Sequence, residues 1–225
     1  MVPGNLQSNA NPYQENAMNR LMHYLLLIVL LAGCKSTNPS ASQVYTGLPE
    51  DLICQDQDLP GSYALVEALS GTRPNQKLID DSTDSAGITS YIQATGRLDG
   101  WENRYILAEP STELPGFILC EAVMFKSSAG AKQALHWPDT QSQPYETDRK
   151  IGDDQVVTWV EFNNPDNAVW RDYQVQFIYH NLLGVVHIDA PANIATADFA
   201  LDIAEKMLSR FENPTQGGTA TPTSP

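Results

Sequence analysis

Two histidines beside a predicted β-turn are the first residues in this chain that suggest metal chemistry. His180 and His187 flank a turn between two segments rich in apolar residues, 170–179 and 185–188. Imidazole nitrogens are common zinc ligands, so the two side chains together would supply half of a metal site. Because the sequence shows no obvious third ligand, we expect two ordinary hairpin residues and no bound metal.

Three acidic clusters are weaker candidates for a cation site. They consist of Asp56 and Asp58, of Asp80, Asp81 and Asp84, and of Asp153 and Asp154. None of them has the alternating ligands and the glycine of a calcium-binding loop, so we interpret them as solvated turn residues. The sequence leaves open whether two carboxylates lie at the separation that glycoside cleavage requires, because that separation is a three-dimensional property.

The motifs of the common hydrolases and phosphate-binding enzymes are absent from the sequence. It contains no G-x-S-x-G elbow, no S-x-x-K, no H-E-x-x-H and no glycine-rich phosphate loop with its lysine. We therefore predict no catalytic residue, no cofactor and no enzymatic activity.

Tryptophans provide a second type of candidate, a surface that stacks against a ligand. Of the four in the chain, Trp137 and Trp170 border polar loops. Exposed aromatic rings often anchor a partner, whereas buried rings fill a core. Trp137 and Trp170 are therefore the candidate ligand-binding residues, and core packing is the alternative that we favour for each tryptophan.

A short apolar segment near the N-terminus indicates where the protein resides. Residues 25–31 are all aliphatic, which is too few to span a bilayer but enough for the core of an export signal. Arg20 supplies the positive charge ahead of that core, and we expect Met18 to be the physiological start, with residues 1–17 as an N-terminal extension. The segment ends in Leu31-Ala32-Gly33-Cys34, which resembles the lipobox of bacterial lipoproteins.

This resemblance implies that a signal peptide ending at residue 33 is removed and that Cys34 becomes the lipidated first residue. Cys34 would carry a diacylglyceryl group and an acyl chain such as palmitate on its new amino group, and two or more chains anchor a protein stably. Lys35 follows the cysteine. In a Gram-negative cell it would favour the outer membrane, and in a Gram-positive cell the protein would lie on the outer face of the cell membrane.

The other two cysteines, Cys54 and Cys120, are candidates for a disulfide bond. The compartment outside the cytoplasmic membrane is oxidising, and a disulfide persists there. The alternative is a pair of buried free thiols, because Cys120 lies in a strongly apolar segment.

Composition indicates an acidic folded domain between two polar ends. The 225 residues are 42% hydrophobic and 18% charged, with a net charge of −14. This balance is typical of a globular chain and argues against binding to nucleic acid or directly to anionic lipid, since both need clustered Lys and Arg. We expect a flexible tether at 34–49, a single domain at 50–212 and a disordered tail at 213–225.

Hydrophobic periodicity within the domain predicts both strands and helices. The predicted strands are 62–69, 101–108, 116–125, 155–162, 170–179 and 185–188. Ser127-Ser128 is a potential N-cap for a short helix at 129–137, and an apolar stripe predicts a long helix over 196–211. A turn is expected at 97–100, and the acidic stretch 80–84 is expected to be a surface loop.

These elements predict an α+β fold, a single antiparallel sheet with a short helix and a long C-terminal helix packed on it. The run Phe125-Lys126-Ser127-Ser128-Ala129, then Ile151-Gly152-Asp153 before a strand, and then the closing hairpin and helix are similar to small extracytoplasmic α+β domains of bacterial lipoproteins, of the PsbP and Mog1 type. This resemblance covers residues 115–211 and implies a fold without implying an activity.

Together the observations predict a lipid-anchored, non-enzymatic envelope protein that binds a partner protein or a small ligand outside the cytoplasmic membrane. The alternatives are an envelope hydrolase acting on a glycan or peptide and a purely structural envelope component. A hydrolase requires carboxylates or histidines that converge in an enclosed pocket. A structural component would have neither a cavity nor an exposed aromatic patch.

Overall fold

The computed structural model describes residues 44–60, 63–109, 111, 113–138 and 142–214. In this part of the chain, eight strands form one antiparallel sheet: β1 (Tyr63–Leu65), β2 (Gly71–Thr72), β3 (Arg97–Leu107), β4 (Phe117–Phe125), β5 (Gln143–Pro144), β6 (Asp154–Asn163), β7 (Val169–Tyr179) and β8 (Leu182–Pro191). Four helices accompany it: α1 (Asn75–Asp81), α2 (Ser85–Thr95), α3 (Ser128–Leu135) and α4 (Ala197–Glu212). Short 3₁₀ turns lie at Pro49–Asp51, Asp56–Asp58 and Glu67–Leu69.

The sheet has the strand order β1-β3-β4-β8-β7-β6-β5, and β2 also pairs with β3. Consecutive hairpins join β6 to β7 and β7 to β8, while β8 returns to pair with β4 at the centre of the sheet. The register aligns Cys120 of β4 with Val186, Val175 and Val157 on one face. Because side chains alternate along a strand, the residues between them form the opposite face.

Helix α4 covers the first face of the sheet. Its buried side chains include Ile203, Met207 and Phe211, at the spacing of one helical stripe, and they pack on β7 and β8. Each fully buried side chain of this size contributes about 1.5–3 kcal/mol. The C-terminal helix predicted from the sequence is therefore the main layer on this face.

An N-terminal segment, residues 44–59, covers the rest of the first face. Leu52, Ile53 and Cys54 within it are buried in the same core as α4. Cys54 forms a disulfide with Cys120 at a Cα–Cα distance of 6.0 Å, which confirms the predicted bridge. The bond fixes the segment to the middle of the central strand β4.

Residues 44–49 belong to the folded domain although the sequence assigns them to the tether. The backbone N–H of Tyr45 donates to Asn181 Oδ1 at 2.7 Å, and Asn181 Nδ2 donates to the carbonyl oxygens of Tyr45 and Phe125 at 3.2 and 2.9 Å. Pro49 is also buried. The domain thus already includes Tyr45, because a fully buried asparagine in the β7–β8 turn supplies partners for its backbone.

The second face of the sheet is covered at one end by α2 and α3. Beneath these helices lie Val123, Phe125, Ile178, Leu183 and Val185. Helix α3 begins at the predicted cap, where Ser127 Oγ accepts a hydrogen bond from the N–H of Gly130 at 3.1 Å. A Cβ on Gly130 would lie 2.0 Å from the carbonyl oxygen of Thr95, so only glycine allows α3 to approach the end of α2 this closely.

The fold class predicted from the sequence is confirmed: one antiparallel sheet carries a short helix and a long C-terminal helix. The loop predicted at 80–84 is correct for residues 82–84 and wrong for Asp80 and Asp81, which belong to α1. The turn predicted at 97–100 is also wrong, because β3 already starts at Arg97 and continues through an irregularity before Asp99. Of the strand predicted at 62–69, Tyr63–Leu65 is strand and Glu67–Leu69 is a 3₁₀ turn.

Candidate functional site

Beyond α2 and α3, the second face of the sheet is only partly buried. We call this part the open face and define it by side chains on five strands: Ile106 of β3, Phe117 and Leu119 of β4, Thr158, Val160 and Phe162 of β6, Trp170, Asp172 and Gln174 of β7, and His187 and Asp189 of β8. Ile106 is 48% exposed and Phe162 is 39% exposed. The open face therefore combines accessible apolar side chains with a central polar group.

The polar group results from the register of the β7–β8 hairpin. A two-residue connection, His180-Asn181, pairs Tyr179 with Leu182 and consequently places Asp172 opposite Asp189. His187 precedes Asp189 by two residues on the same strand, so its side chain lies on the same face. The register therefore brings together two carboxylates and one imidazole that form no recognisable motif in the sequence.

Both carboxylates approach the same nitrogen of His187. The distance from Nε2 is 3.0 Å to Asp172 Oδ1 and 3.4 Å to Asp189 Oδ1. Only the longer contact has hydrogen-bond geometry, whereas Asp172 Oδ1 is withdrawn from solvent and has no hydrogen-bond partner among the described residues. The nearer carboxylate oxygen thus faces the imidazole without an aligned donor.

The charge of the two carboxylates determines the protonation of His187. Burial alone would lower the pKa of the imidazole, but the close contacts of Nε2 with the Asp172 and Asp189 carboxylates and the charges of those carboxylates outweigh burial and raise this pKa from 6.5 to about 9. At neutral pH the imidazole is therefore a cation placed between two anions. One positive charge still leaves the three-residue group with a net negative charge.

Apolar and hydroxyl side chains surround this group. The Phe117 ring meets the His187 ring edge-on, with 6.0 Å between the ring centres. Next to Asp172, a shallow cavity of about 50 Å³ is also lined by Ser142, Thr158 and Gln174. The group therefore lies between an aromatic ring on one side and a small cavity with polar lining on the other.

The donor set fits a divalent metal ion. The ligand atoms of Asp172, His187 and Asp189 all lie within 4.8 Å of one another. Imidazole nitrogen and carboxylate oxygen are both common ligands of zinc and of other first-row transition metals. Three protein ligands would leave a coordination position for water or for a donor atom of a ligand.

The two histidines named from the sequence have separate partners. His180 is in the hairpin turn, where its Nδ1 lies 3.9 Å from Asp153 Oδ2, while His187 contacts Asp172 and Asp189. The two histidines therefore do not supply half of a shared metal site, since the six residues between them include the first five residues of β8. The sequence reasoning missed Asp172 and Asp189, and the signal that could have found them was the two-residue turn.

The acidic clusters of the sequence are mostly engaged in ion pairs. Asp81 contacts Arg73 and Lys77, and Asp154 contacts His136. Asp58 departs from the expected solvated turn residue, since it is buried and lies 2.6 Å from the Arg210 guanidinium. These contacts give Asp58, Asp81 and Asp154 structural roles.

Trp137 and Trp170 do not form one aromatic surface with each other. Trp137 is 36% exposed and packs edge-on against Tyr91 of α2, with ring centres 5.2 Å apart. Trp170 is partly buried and packs beside Phe162 of β6, with ring centres 6.5 Å apart. Of the two candidates, Trp170 belongs to the open face.

Cys34, the predicted lipidation site, lies outside the described residues, as does the signal peptide. Within the described ranges, no helix is both long and apolar enough to cross a membrane.

No family model matches the chain. No curated protein matches its sequence either. In fold, the chain is similar to the extracellular domain of PknH from Mycobacterium tuberculosis, with a TM-score of 0.45 and 11% sequence identity. The similarity covers 75% of this chain and 98% of that one. The function is therefore inferred from the geometry of the open face.

Proposed function

We propose that this protein is a lipid-anchored, non-enzymatic binding protein of the bacterial envelope, and that its open face binds a partner protein or a small ligand. The observation that carries the proposal is that helices cover only part of the second face of the sheet. Helices α2 and α3 bury one end of the second face, whereas the other end presents Phe162 and Ile106 beside the Asp172, His187 and Asp189 group. Accessible apolar surface around a polar centre is a typical composition for a binding site.

The disulfide supports a location outside the cytoplasm. Cys54 and Cys120 are the only cysteines besides Cys34 in the sequence, and they are bonded to each other. Structural disulfides persist in oxidising compartments and are rare in the cytosol. The lipobox at Leu31-Ala32-Gly33-Cys34 supplies the anchor in this proposal.

Replacing Cys34 by serine tests the anchor. We expect the wild-type protein to fractionate with membranes and to carry acyl chains in its mass spectrum, whereas the Cys34→Ser protein lacks them and leaves the membrane fraction. Cys54→Ser/Cys120→Ser is the matched control, since it removes two cysteines without touching the lipobox. Membrane retention of an unlipidated Cys34→Ser protein would contradict a lipid anchor.

Site-specific photocrosslinking tests the open face as the binding surface. A photoreactive phenylalanine analogue at Phe162 would lie on the open face, and the same analogue at Leu69, which is 56% exposed, would lie in the turn between β1 and β2. We expect a discrete adduct from position 162 and none from position 69, with purified unlabelled protein competing for it. Equal labelling from both positions would contradict a specific site.

An envelope hydrolase is the second candidate, because two carboxylates and a histidine do converge on the open face. The neighbouring cavity is too small to enclose a glycan or peptide substrate, so it favours a partner protein that contacts the open face from outside. It encloses about 50 Å³, whereas pockets for small-molecule ligands enclose about 300–1,000 Å³. Glycan or peptide turnover that disappears in Asp189→Asn and His187→Gln would favour the hydrolase instead.

A further inference from the structure

We propose that Asp172, His187 and Asp189 bind a divalent transition-metal ion, with Zn²⁺ as the best fit, and that this ion forms the polar centre of the open face. The inference deepens the proposed function and rests on it, because it names one ligand of the same surface. It arises from how three side chains on two strands are placed relative to one another.

Two of the three separations between the ligand atoms are close to those around a zinc ion, and the third is within 4.8 Å. A tetrahedral ion with ligands at about 2.1 Å holds those ligands about 3.4 Å apart. His187 Nε2 lies 3.0 Å from Asp172 Oδ1 and 3.4 Å from Asp189 Oδ1. Small side-chain rotations are therefore sufficient for all three atoms to bind one ion.

The two negative charges that face each other across the hairpin also favour a bound cation. Asp172 and Asp189 are directly opposite each other on neighbouring strands, an arrangement in which like charges destabilise a sheet. Within the described ranges, no lysine or arginine forms an ion pair with either carboxylate. A doubly charged ion bound between the two strands would neutralise both carboxylates.

Asp172 Oδ1 is a second observation that fits an ion, because it lies 3.0 Å from His187 Nε2 without the geometry of a hydrogen bond. Asp172 Oδ1 has almost no solvent contact and accepts no hydrogen bond from the described residues. A buried carboxylate oxygen without a donor is costly, and such groups usually have an explanation in an ion or a water molecule. A metal ion between Asp172 and His187 would supply the missing partner.

The ligand types distinguish among metals. Ca²⁺ and Mg²⁺ prefer oxygen ligands in larger or octahedral sets, whereas imidazole suits Zn²⁺ and its neighbours in the first transition row. Three protein ligands would leave one position of a tetrahedral ion for water or for a donor atom from a binding partner.

Calorimetric titration of the full-length protein in mild detergent tests the inference. The protein carries no polyhistidine tag and is stripped with a chelator before Zn²⁺ is added. We expect one Zn²⁺ per chain, no competition from about 1 mM Mg²⁺ or Ca²⁺, and affinity that falls at least about tenfold in Asp172→Asn and in His187→Gln. X-ray absorption should show one imidazole, with oxygen ligands at about 2.0–2.2 Å.

The other end of the same hairpin provides the matched control. His180 and Asp153 form a histidine–carboxylate pair at the turn that lacks a second carboxylate. His180→Gln and Asp153→Asn should therefore leave the zinc affinity unchanged, and circular dichroism verifies that every variant is folded. Zinc affinity that survives both Asp172→Asn and His187→Gln, or the absence of binding at about 1 mM Zn²⁺, would overturn the inference.

Comparison with the photocrosslinking separates the two proposals. An adduct from Phe162 together with no zinc binding would overturn the metal site alone. Zinc binding without any adduct or bound ligand would support the metal site and contradict a larger partner on the open face.

Discussion

His187 shows how two neighbours can reverse the effect of burial on a side chain. Three-quarters buried, it would be expected to lose its proton more easily than a histidine in water. The carboxylates of Asp172 and Asp189 instead raise its pKa to about 9. In the metal-free protein, protonation of His187 is therefore coupled to folding, because the unfolded chain separates the three groups.

The pH dependence of stability should reveal this coupling. The folded-state pKa of His187 exceeds the ordinary value of 6.5, so its contribution is complete below about pH 6.5 and is lost as the pH rises through about 9. With a chelator present, we expect the stability advantage of the wild type over His187→Gln to shrink by about 2–3 kcal/mol between about pH 6 and pH 10. Urea unfolding of both proteins measures it, and a constant difference would contradict the coupling.

Arg210 should be essential for stability, because it neutralises a buried carboxylate. Its guanidinium lies 2.6 Å from Asp58, and each side chain is about nine-tenths buried. Arg210→Leu would leave Asp58 charged and unpaired, at an expected cost of about 3–5 kcal/mol in the free energy of unfolding.

A surface ion pair serves as the control for Arg210. Arg171 and Glu161 are partly exposed and lie 3.2 Å apart on neighbouring strands, so Glu161→Gln should cost less than about 1 kcal/mol. Chemical denaturation compares the two variants, and similar losses in both would contradict a special role for the buried pair.

Residue types alone were insufficient to predict the open face. His187 was a visible candidate, but its partners depend on the register of β7 and β8. That register follows from a single feature, the two-residue connection His180-Asn181, in which His180 adopts a φ of 55°. Asn181 is the second residue of this connection, and its side chain accepts a hydrogen bond from the Tyr45 N–H. Local sequence patterns do not predict such a long-range contact.

At the scale of elements, the sequence predicted the strands and helices with strong periodicity and missed those without it. Helix α4 has a continuous apolar stripe, and strands β6 and β7 are bounded by clear turns. Helix α1 has no buried residue and α2 only Thr95, so neither shows a strong stripe. For α2 the signal was in the caps: Asp84 accepts from Gly87 N–H, and Gly96 ends the helix at a φ of 67°.

The disulfide should stabilise the packing of the N-terminal segment on β4. Cys54 and Cys120 are 66 residues apart, and chain-entropy estimates for such a loop give about 4 kcal/mol. We expect Cys54→Ser/Cys120→Ser to lose about 2–4 kcal/mol of unfolding free energy. Thermal and urea unfolding measure the loss, with the reduced wild type as a comparison, and an unchanged midpoint in both would contradict this role.

At the scale of the whole molecule, both ends of the described domain meet at one pole. Tyr45 pairs with Asn181 of the β7–β8 turn, and Val44, Tyr45, His180, Phe211 and Pro214 line one cleft of about 250 Å³. Asp189 lies eight residues farther along β8 than Asn181, about 27 Å away at the rise of an extended strand. The chain therefore enters and leaves near the turn, and the metal-ligand group lies toward the opposite pole.

If Cys34 carries the lipid, the open face should point away from the membrane. The predicted tether joins the domain at the pole of the β7–β8 turn, so this pole should spend more time near the headgroups than Asp172 and Asp189. In nanodiscs with gadolinium-chelate lipids, we expect the amide signals of Tyr179 and His180 to be attenuated more strongly than those of Asp172 and Asp189. The comparison uses residues of one hairpin, so overall tumbling affects all four alike.

Cys34→Ser provides the control for this orientation, since the unlipidated protein should lose the difference between the two ends of the hairpin. Equal attenuation at both ends in the anchored protein, or stronger attenuation at Asp172 and Asp189, would contradict it. The first result would indicate a tether too loose to orient the domain. The second would place the acidic metal-ligand group at the lipid surface, where an open face could recognise headgroups rather than a partner in the surrounding medium.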